Sequence, residues 1–172
     1  FSLHKMRNVK IIDDAISKGY QDWIEDVMTG TDFPWYFNGK GITAETNPDD
    51  LTTGFFHHIL KDGVASNHFN MLVPLLFENV KVSNLYRIRA GMFVRNQNEQ
   101  KHQKHIDDPG KHTVMLYYVT DSDGPTQIYN GKEKLDVEPK KGRAVIFPGE
   151  YYHNSSSPKN HKNRIVVNYN FI

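Results

Sequence analysis

The sequence has no cysteine among its 172 residues, which excludes disulfide bonds, thiolate zinc sites and cysteine nucleophiles. Its net charge is only +1 at pH 7, so a basic surface for nucleic acid is not expected. It contains no apolar run of the roughly 18 residues that a membrane-spanning helix needs. The serine-hydrolase pattern G-x-S-x-G and the zinc-protease pattern H-E-x-x-H are also missing. We therefore expect a soluble protein with no membrane or nucleic-acid partner.

The composition and length are those of one globular domain. Hydrophobic residues make up 38% and charged residues 24%, and a chain of this length can bury a self-sufficient core. No repeat or flexible linker divides it. We predict a single domain over residues 1–172, with helical support over about 1–81 and the β-rich core that carries the active site over about 82–172. The chain begins at Phe1 rather than Met, which we interpret as the result of trimming.

Hydrophobic periodicity predicts helices first and strands afterwards. One helix is expected between about Asp13 and Gly30 and a second over about residues 69–80, interrupted by Pro74. The apolar face expected for the first helix consists of Ile16, Tyr20, Trp23 and Val27. Six short segments rich in β-branched and aromatic residues predict strands at 82–90, 113–119, 126–129, 135–137, 143–147 and 164–171. This order predicts an α+β fold with a sheet sandwich or barrel as its main body.

Candidate metal ligands occur in the segment His105-Ile106-Asp107. Residues two apart in an extended segment face the same side, so the imidazole and the carboxylate can converge on one ion. With nine histidines and twenty acidic residues, roughly one such match is expected by chance, and a solvated loop pair is the alternative. His153 follows His105 by 48 positions, and Arg164 opens the last predicted strand 11 positions later. The joint pattern is far more specific than any of its parts.

The order His105, Asp107, His153 and Arg164 resembles the motif H-x-D…H…R of the Fe(II)- and 2-oxoglutarate-dependent oxygenases, in particular the prolyl 4-hydroxylase-like branch. The resemblance covers residues 86–171, about half of the chain. It implies a double-stranded β-helix, a jelly-roll or cupin-like barrel, braced by the N-terminal helices. It also implies that His105, Asp107 and His153 bind Fe(II), with no catalytic side chain beyond these ligands. Dioxygen and 2-oxoglutarate would be co-substrates, and ascorbate a reductant.

The chemistry explains why the family uses these residue types. Two imidazoles and one carboxylate on one face of Fe(II) leave positions open for a 2-oxo acid and for dioxygen. The far carboxylate of 2-oxoglutarate needs a planar, permanently charged partner, which the guanidinium of Arg164 supplies. The resemblance also implies a tyrosine on the strand after H-x-D as a second partner. Tyr117 and Tyr118 both lie there, and Tyr118, which shares its face with Leu116, fits better. Two residues that alternate with Arg164 should face the interior as well: Val166 and Asn168.

The primary substrate is the least direct prediction. The resemblance implies hydroxylation with release of succinate and CO₂, and a prolyl residue in a protein or peptide is the leading candidate. The polar segments 38–50 and 91–104 are predicted to form loops that close over an extended substrate. Three arginines are candidates for binding its backbone carbonyls or for a structural role: Arg87, Arg89 and Arg95. The expected location is the cytoplasm, of a bacterium or of a host cell if a virus encodes the protein.

Two alternatives from other classes use the same barrel. One is a cupin-like metal-binding sugar isomerase, and the other is a binding module without catalysis. Neither would convert 2-oxoglutarate to succinate, so succinate formation with Fe(II) distinguishes an oxygenase from both.

Overall fold

The structure, a computed structural model, describes residues 5–40, 52–98 and 101–172. Helix α1 spans Lys18–Thr29 and helix α2 spans Phe69–Asn79. The strands are β1 (Lys10–Ile12), β2 (Tyr36–Asn38), β3 (Gly54–Lys61), β4 (Val64–Ala65), β5 (Leu85–Val94), β6 (Thr113–Tyr118), β7 (Thr126–Asn130), β8 (Glu133–Val137), β9 (Ala144–Pro148), β10 (Tyr152–Asn154) and β11 (Asn163–Phe171). None of the helices within these ranges is long and apolar enough to cross a membrane.

The described strands form two sheets that exchange strands along the chain. The large sheet has the order β1-β9-β6-β11-β5-β3-β2, with β4 paired to β3, and the small sheet has the order β10-β7-β8. After β5 and β6 the chain passes to β7 and β8 in the small sheet, returns through β9, crosses to β10 and ends in β11. All pairings are antiparallel. The β-rich architecture is that of a double-stranded β-helix.

The inner face of the large sheet shares a buried apolar cluster with the small sheet. Its members are Met6, Val114, Leu116, Tyr118, Ile128, Leu135, Val137, Val145, Phe147, Tyr151 and Val166. Tyr118 and Val166 are paired across β6 and β11 and therefore lie on the same face. Burying each of the larger aliphatic side chains contributes about 1.5–3 kcal/mol, so this cluster holds the two sheets together.

The outer face of the large sheet packs against both helices. Ile24 and Met28 from α1 and Leu72 and Leu75 from α2 are fully buried in one cluster with residues of the sheet, Tyr117 among them. Adjacent residues of β6 thus serve opposite faces, because side chains alternate along a strand. Pro74 lies inside α2 and the helix continues through it to Asn79.

The buried face of α1 matches the predicted one in part, since Ile16, Tyr20 and Val27 are half-buried against the core cluster and Trp23 is not. The helix begins only at Lys18, after the N-cap Ser17, and its buried residues are Gln21, Ile24 and Met28. Trp23 is 48% exposed. Asp14 has a positive φ of 49°, which keeps the chain out of the helix at the position where the sequence predicted its start.

Strands of the first third also enter the large sheet. β1 pairs with β9 and β3 pairs with β5, so the sheet crosses the boundary expected near residue 82. The eight residues of β3, GFFHHILK, contain two histidines that break the apolar alternation by which strands are recognised. The predicted loop 91–104 also starts later than expected, because β5 extends to Val94. Most of the predicted loop 38–50 lies outside the described residues.

Candidate metal centre

Two histidines and one aspartate converge at one end of the inner cluster. His105 and His153 form an isolated antiparallel bridge, in which each backbone N–H donates to the other residue's carbonyl at 3.0 Å. The Nε2 atoms of both rings lie 3.5 Å from Oδ1 of Asp107. The three potential ligand atoms lie within 4.8 Å of one another. Two imidazoles and one carboxylate around one point are the donor set that non-heme Fe(II) takes, so these residues fit that metal.

Asp107 is fixed by two amides from the last strand. Its side chain is only 4% exposed, and its Oδ2 accepts hydrogen bonds of 2.9 Å from the Nδ2 atoms of Asn168 and Asn170. Arg87 Nη2 lies 3.8 Å from the same oxygen. These contacts occupy Oδ2 and leave Oδ1 facing the imidazoles.

Electrostatics keeps Asp107 ionised although it is buried. Burial alone would raise the pKa of this carboxyl, but the charge of His153, hydrogen bonds from both histidines and the charge of Arg87 lower the pKa well below its usual range. Burial likewise works against protonation of His105, but Asp107 raises the pKa of this ring above 6.5. His105 Nδ1 lies 3.1 Å from the carbonyl of Gln103, which orients Nε2 toward Asp107.

The guanidinium of Arg164 is buried at the opposite end of β11 from Asn168 and Asn170. Arg164 is 4% exposed; its Nε donates to the Gly124 carbonyl and its Nη2 to Thr126 Oγ1, both at 2.7 Å. Both acceptors are neutral, and within the described ranges the guanidinium pairs with no carboxylate. Gly124 has φ of 83°, and a Cβ there would lie 2.5 Å from the Ser156 carbonyl oxygen, so glycine is required.

Tyr118 is linked to Arg164 by hydrogen bonds to a shared acceptor, Thr126. Its hydroxyl donates to Thr126 Oγ1 at 2.7 Å, and its ring centroid lies 5.7 Å from Arg164 Cζ. Thr126 therefore accepts two hydrogen bonds, which leaves its own proton to be donated elsewhere. Thr126 and Arg164 line the cavity described below, whereas Tyr118 is not part of its lining. Burial raises the pKa of the Tyr118 phenol, so it remains a neutral donor.

A cavity of about 140 Å³ joins the two ends. His105, Asp107 and His153 line it together with Thr126 and Arg164. Three further lining residues complete the wall contributed by β6 and β11: Leu116, Val166 and Asn168. Since a strand rises about 3.3 Å per residue, the four positions from Arg164 to Asn168 span about 13 Å of backbone. The cavity can thus bind a short acid whose one end reaches the metal and whose other end reaches Arg164.

The structure brings the predicted metal ligands and Arg164 to this cavity, whereas Tyr118 lies behind Thr126. Sequence reasoning missed two contributors, Thr126 and Asn170. Thr126 directly follows a Gly-Pro turn, and Asn170 continues the alternation of Arg164, Val166 and Asn168, which was the available signal. Arg95 does not reach the cavity, because its Nε donates to the carbonyl of Lys159 at 2.8 Å on the surface. Arg87 and Arg89 do line it.

Comparisons with known proteins agree with this architecture. Residues 91–172 match the family model of the 2OG-Fe(II) oxygenase superfamily. The fold is similar to a 2OG-Fe(II) oxygenase family oxidoreductase from Burkholderia pseudomallei, with TM-score 0.72 and 11% identity over 95% of this chain and 84% of that chain. It is also similar to a prolyl hydroxylase from Trichoplax adhaerens, with TM-score 0.66 and 12% identity over 97% and 84% of the two chains.

A third solved structure with a similar fold is SnoN, a non-heme α-ketoglutarate-dependent epimerase of nogalamycin biosynthesis. Its TM-score is 0.66 and its identity 8%, over 96% of this chain and 77% of that chain. At such low identities these likenesses show the fold alone. No curated protein sequence matches the chain.

Proposed function

We propose that this protein is a dioxygenase that hydroxylates its primary substrate at the cavity described above, because residues 91–172 match the family model of the 2OG-Fe(II) oxygenase superfamily. The observation that carries the proposal is the convergence of His105, Asp107 and His153 on one point, with Arg164 on the wall of the same cavity. A fold alone does not define a function, but this set of side chains is what the reaction requires.

His105, Asp107 and His153 would bind the iron of the family. When bound, Fe(II) activates dioxygen, and 2-oxoglutarate supplies two electrons and leaves as succinate and CO₂. The chain's own contribution is positional. Asn168 and Asn170 hold Asp107 so that one carboxylate oxygen faces the metal, and no further side chain has to transfer a proton.

Arg164 and Tyr118 would anchor the far carboxylate of 2-oxoglutarate. Arg164 is buried with a full positive charge and neutral hydrogen-bond acceptors only, so a carboxylate supplies the counter-charge that its surroundings lack. Tyr118 acts through Thr126, whose hydroxyl accepts from both residues and can donate to the ligand. Leu116 and Val166 line the same cavity with apolar surface, which excludes water from the reacting centre.

We further propose that the primary substrate is a prolyl residue of a protein or peptide. The prolyl hydroxylase from Trichoplax adhaerens supports this choice, since it was solved with a peptide fragment of hypoxia inducible factor. The rim of the cavity also suits an extended chain. Asn38 of the edge strand β2 lines the cavity, and its neighbour Phe37 is 64% exposed.

Epimerisation of the substrate, without oxygen transfer to it, is a second candidate, supported by the likeness to the epimerase SnoN. The two reactions differ in product. A hydroxylase adds one oxygen atom to the substrate for each succinate formed, whereas an epimerase forms a product of unchanged mass.

The decisive experiment is turnover by the purified protein. The protein is loaded with Fe(II) under anaerobic conditions and mixed with 2-oxoglutarate, ascorbate and a panel of proline-containing peptides, free proline and small metabolites. We expect succinate in equal amount to a product one oxygen heavier, on peptides. The absence of succinate with every substrate would contradict the oxygenase, and succinate with free proline or a metabolite alone would contradict the prolyl-peptide substrate.

We also propose that α1 and α2 brace the β-helix as parts of one domain over residues 1–172. Their fully buried side chains share one cluster with the outer face of the large sheet. Leu75→Ala in α2 should cost about 2–5 kcal/mol of unfolding free energy. A single urea transition for the whole chain, shifted in this variant, is the expected result, whereas two separate transitions would contradict a single domain.

A further inference from the structure

Two arginines project from β5 on the inner face of the large sheet, and their surroundings differ. Arg87 lies opposite Asn170 of β11 and Arg89 lies opposite Asn168. Arg87 Nε donates to Asn170 Oδ1 at 2.9 Å, and its Nη2 lies 3.8 Å from Asp107. Arg87 is therefore a structural part of the metal centre.

Arg89 has no such partner. Within residues 5–40, 52–98 and 101–172, its guanidinium makes no hydrogen bond and no salt bridge, and it lies over the ring of Phe56, whose centroid is 5.0 Å from Cζ. An arginine stacked on an aromatic face keeps the edge of its guanidinium free to donate. Burial lowers the pKa of Arg89, as expected for a cation with little compensation.

The free guanidinium faces the reacting centre. Arg89 lines the same cavity as His105 and Asp107. Its cross-strand partner Asn168 donates to Asp107 at 2.9 Å, and side chains paired across two strands lie about 4.5–5.5 Å apart at Cβ. Arg89 thus lies on β5, next to the β11 residue that holds Asp107. Arg164, the proposed partner of 2-oxoglutarate, lies further along β11.

The charge around Arg89 favours an anion. Arg87, two positions away, is a second cation, and the one carboxylate of the described cavity lining is Asp107, which its own contacts already occupy. His58 lies opposite Arg89 on β3 and contributes no charge at neutral pH, since burial and the neighbouring cations lower its pKa to about 4. The Asp107 carboxylate offsets part of the charge of Arg89 without forming a salt bridge with it, so a ligand that approaches this wall, which also carries Arg87, still meets a net positive charge.

We propose that Arg89 binds a carboxylate of the primary substrate, so that the enzyme selects substrates with an acidic group close to the oxidised carbon. This inference rests on the proposed oxygenase function and specifies its substrate class. For a prolyl substrate, the carboxylate belongs either to an Asp or Glu side chain beside the proline or to a C-terminal proline itself. A guanidinium binds either one bidentately.

The test compares matched peptides on the iron-loaded enzyme. In the first pair, one peptide carries Glu beside the proline and the other carries Gln there. In the second pair, the peptide ends in proline either as the free acid or as the amide. We expect the acidic member of at least one pair to have a KM about tenfold lower or better, the size of a hydrogen-bonded charge contact. The pair that shows the preference identifies the source of the carboxylate.

Variants then assign the preference to Arg89. Arg89→Met should abolish the difference between the acidic and neutral peptides, and Arg89→Lys should restore part of it. In Arg89→Met, the KM for 2-oxoglutarate and the affinity for Fe(II) should equal those of the wild type, whereas Arg87→Met should lower the affinity for Fe(II). Lys81→Met, which removes an exposed positive charge, is the control for net charge.

Several outcomes would overturn the inference. The first is equal turnover of acidic and neutral peptides by the wild type. The second is an equal loss of activity toward both kinds of peptide in Arg89→Met, and the third is a loss of 2-oxoglutarate binding in that variant. If the wild type oxidises no peptide, the proposed prolyl substrate fails, and Arg89 is then tested without turnover. The Arg89 Nε–H signal, assigned in NMR spectra with the Arg89→Met variant, should shift on titration with N-acetylglutamate amide and not with N-acetylglutamine amide. No shift with the acidic probe would reject the inference.

Discussion

One end of the cavity is built around the buried Asp107 carboxylate and the other around the buried Arg164 guanidinium, and the two ends differ in how complete they are without a ligand. At the metal end, Asp107 has two amide donors at 2.9 Å, two imidazoles at 3.5 Å and Arg87 at 3.8 Å. At the other end, Arg164 has only neutral acceptors among the described residues. The metal end is therefore arranged before the metal binds. The Arg164 end carries an uncompensated buried charge until an anion arrives.

Removing a metal ligand should have the largest effect, a loss of Fe(II) binding. His105→Ala deletes one of three ligands, so the affinity for Fe(II) should fall by more than the roughly 10–100-fold typical of outer-shell partners, and turnover should cease. Fe(II) binding measured anaerobically by calorimetry checks this. His161→Ala, at an exposed histidine paired with Asp123, is the matched control and should bind Fe(II) like the wild type. Wild-type iron content in His105→Ala would contradict the ligand assignment.

Substituting the buried Arg164 should weaken the binding of 2-oxoglutarate without changing the affinity for Fe(II). Arg164→Leu removes one partner of a buried charge pair, worth roughly 2–5 kcal/mol, so the affinity for 2-oxoglutarate should fall by at least about tenfold. Arg164→Lys should recover only part of it, because an ammonium cannot form the bidentate contact. Binding of 2-oxoglutarate is measured at a fixed concentration of metal, and Fe(II) affinity serves as the internal control. Unchanged 2-oxoglutarate affinity in Arg164→Leu would mean that the acid binds elsewhere.

The amides behind Asp107 test whether the metal end is arranged in advance. Asn168→Ala and Asn170→Ala each remove a hydrogen bond to Oδ2, and we expect each to lower Fe(II) affinity about 10–100-fold. Because both amides bond the same oxygen, the effects should not add in the double variant. Calorimetric titration of the three variants provides the comparison. Wild-type affinity in both single variants would show that Asp107 is positioned without them.

The two adjacent tyrosines of β6 give a finer test of the Arg164 end. Tyr118→Phe removes the hydrogen bond to Thr126 and should weaken the binding of 2-oxoglutarate by about 0.5–3 kcal/mol. Tyr117→Phe is the matched control, because this residue lies on the outer face, in the cluster with the helices. The KM for 2-oxoglutarate checks both. An effect of Tyr117→Phe alone would contradict the assignment of the two faces.

The smallest expected effect concerns the turn next to Gly124. Burial alone would raise the pKa of Asp123, but the N–H groups of Lys159 and Asn160 and the ring of His161 lower it to about 2. A lowered pKa stabilises the fold above the unfolded value of 3.8, and this stabilisation is lost as the pH falls through about 2.

Asp123→Asn should therefore cost about 1 kcal/mol at pH 7, since part of the interaction is screened by solvent. The difference from the wild type should shrink below pH 4, as followed by urea unfolding at several pH values. A constant difference at all pH values would mean that the charge of Asp123 does not matter.

The sequence predicted those features of the site that depend on order along the chain. His105 and Asp107 lie two apart in an extended segment, and Arg164 opens a strand with a clear β pattern, so spacing and alternation were sufficient. Alternation also placed Val166 and Asn168 on the cavity wall. Residues whose roles depend on a distant partner were missed. Asn170 matters only because β11 brings it to Asp107, 63 positions earlier in the chain.

The first third was predicted less well, for a physical reason. Its strands are short or contain polar residues, and they form because neighbouring strands offer unpaired backbone groups, not because of their own propensity. β1 has three residues and pairs with β9, more than 130 positions away. The predicted apolar face of α1 included Tyr20 and Val27, which are half-buried, but missed the fully buried Ile24 and Met28, because the sheet fixes the rotation of the helix.

The central position of β11 has a consequence for synthesis of the protein in the cell. This strand lies between β5 and β6 and carries Arg164, Asn168 and Asn170. During translation, β5 and β6 are made first. The edge of each that will pair with β11 stays open until β11 emerges, which is 45 residues after the end of β6 (163 minus 118) and 69 after the end of β5 (163 minus 94). Open edges of this kind invite aggregation. Release of residues 163–171 from the ribosome therefore completes the large sheet, the support of the Asp107 carboxylate and the buried Arg164 in a single event.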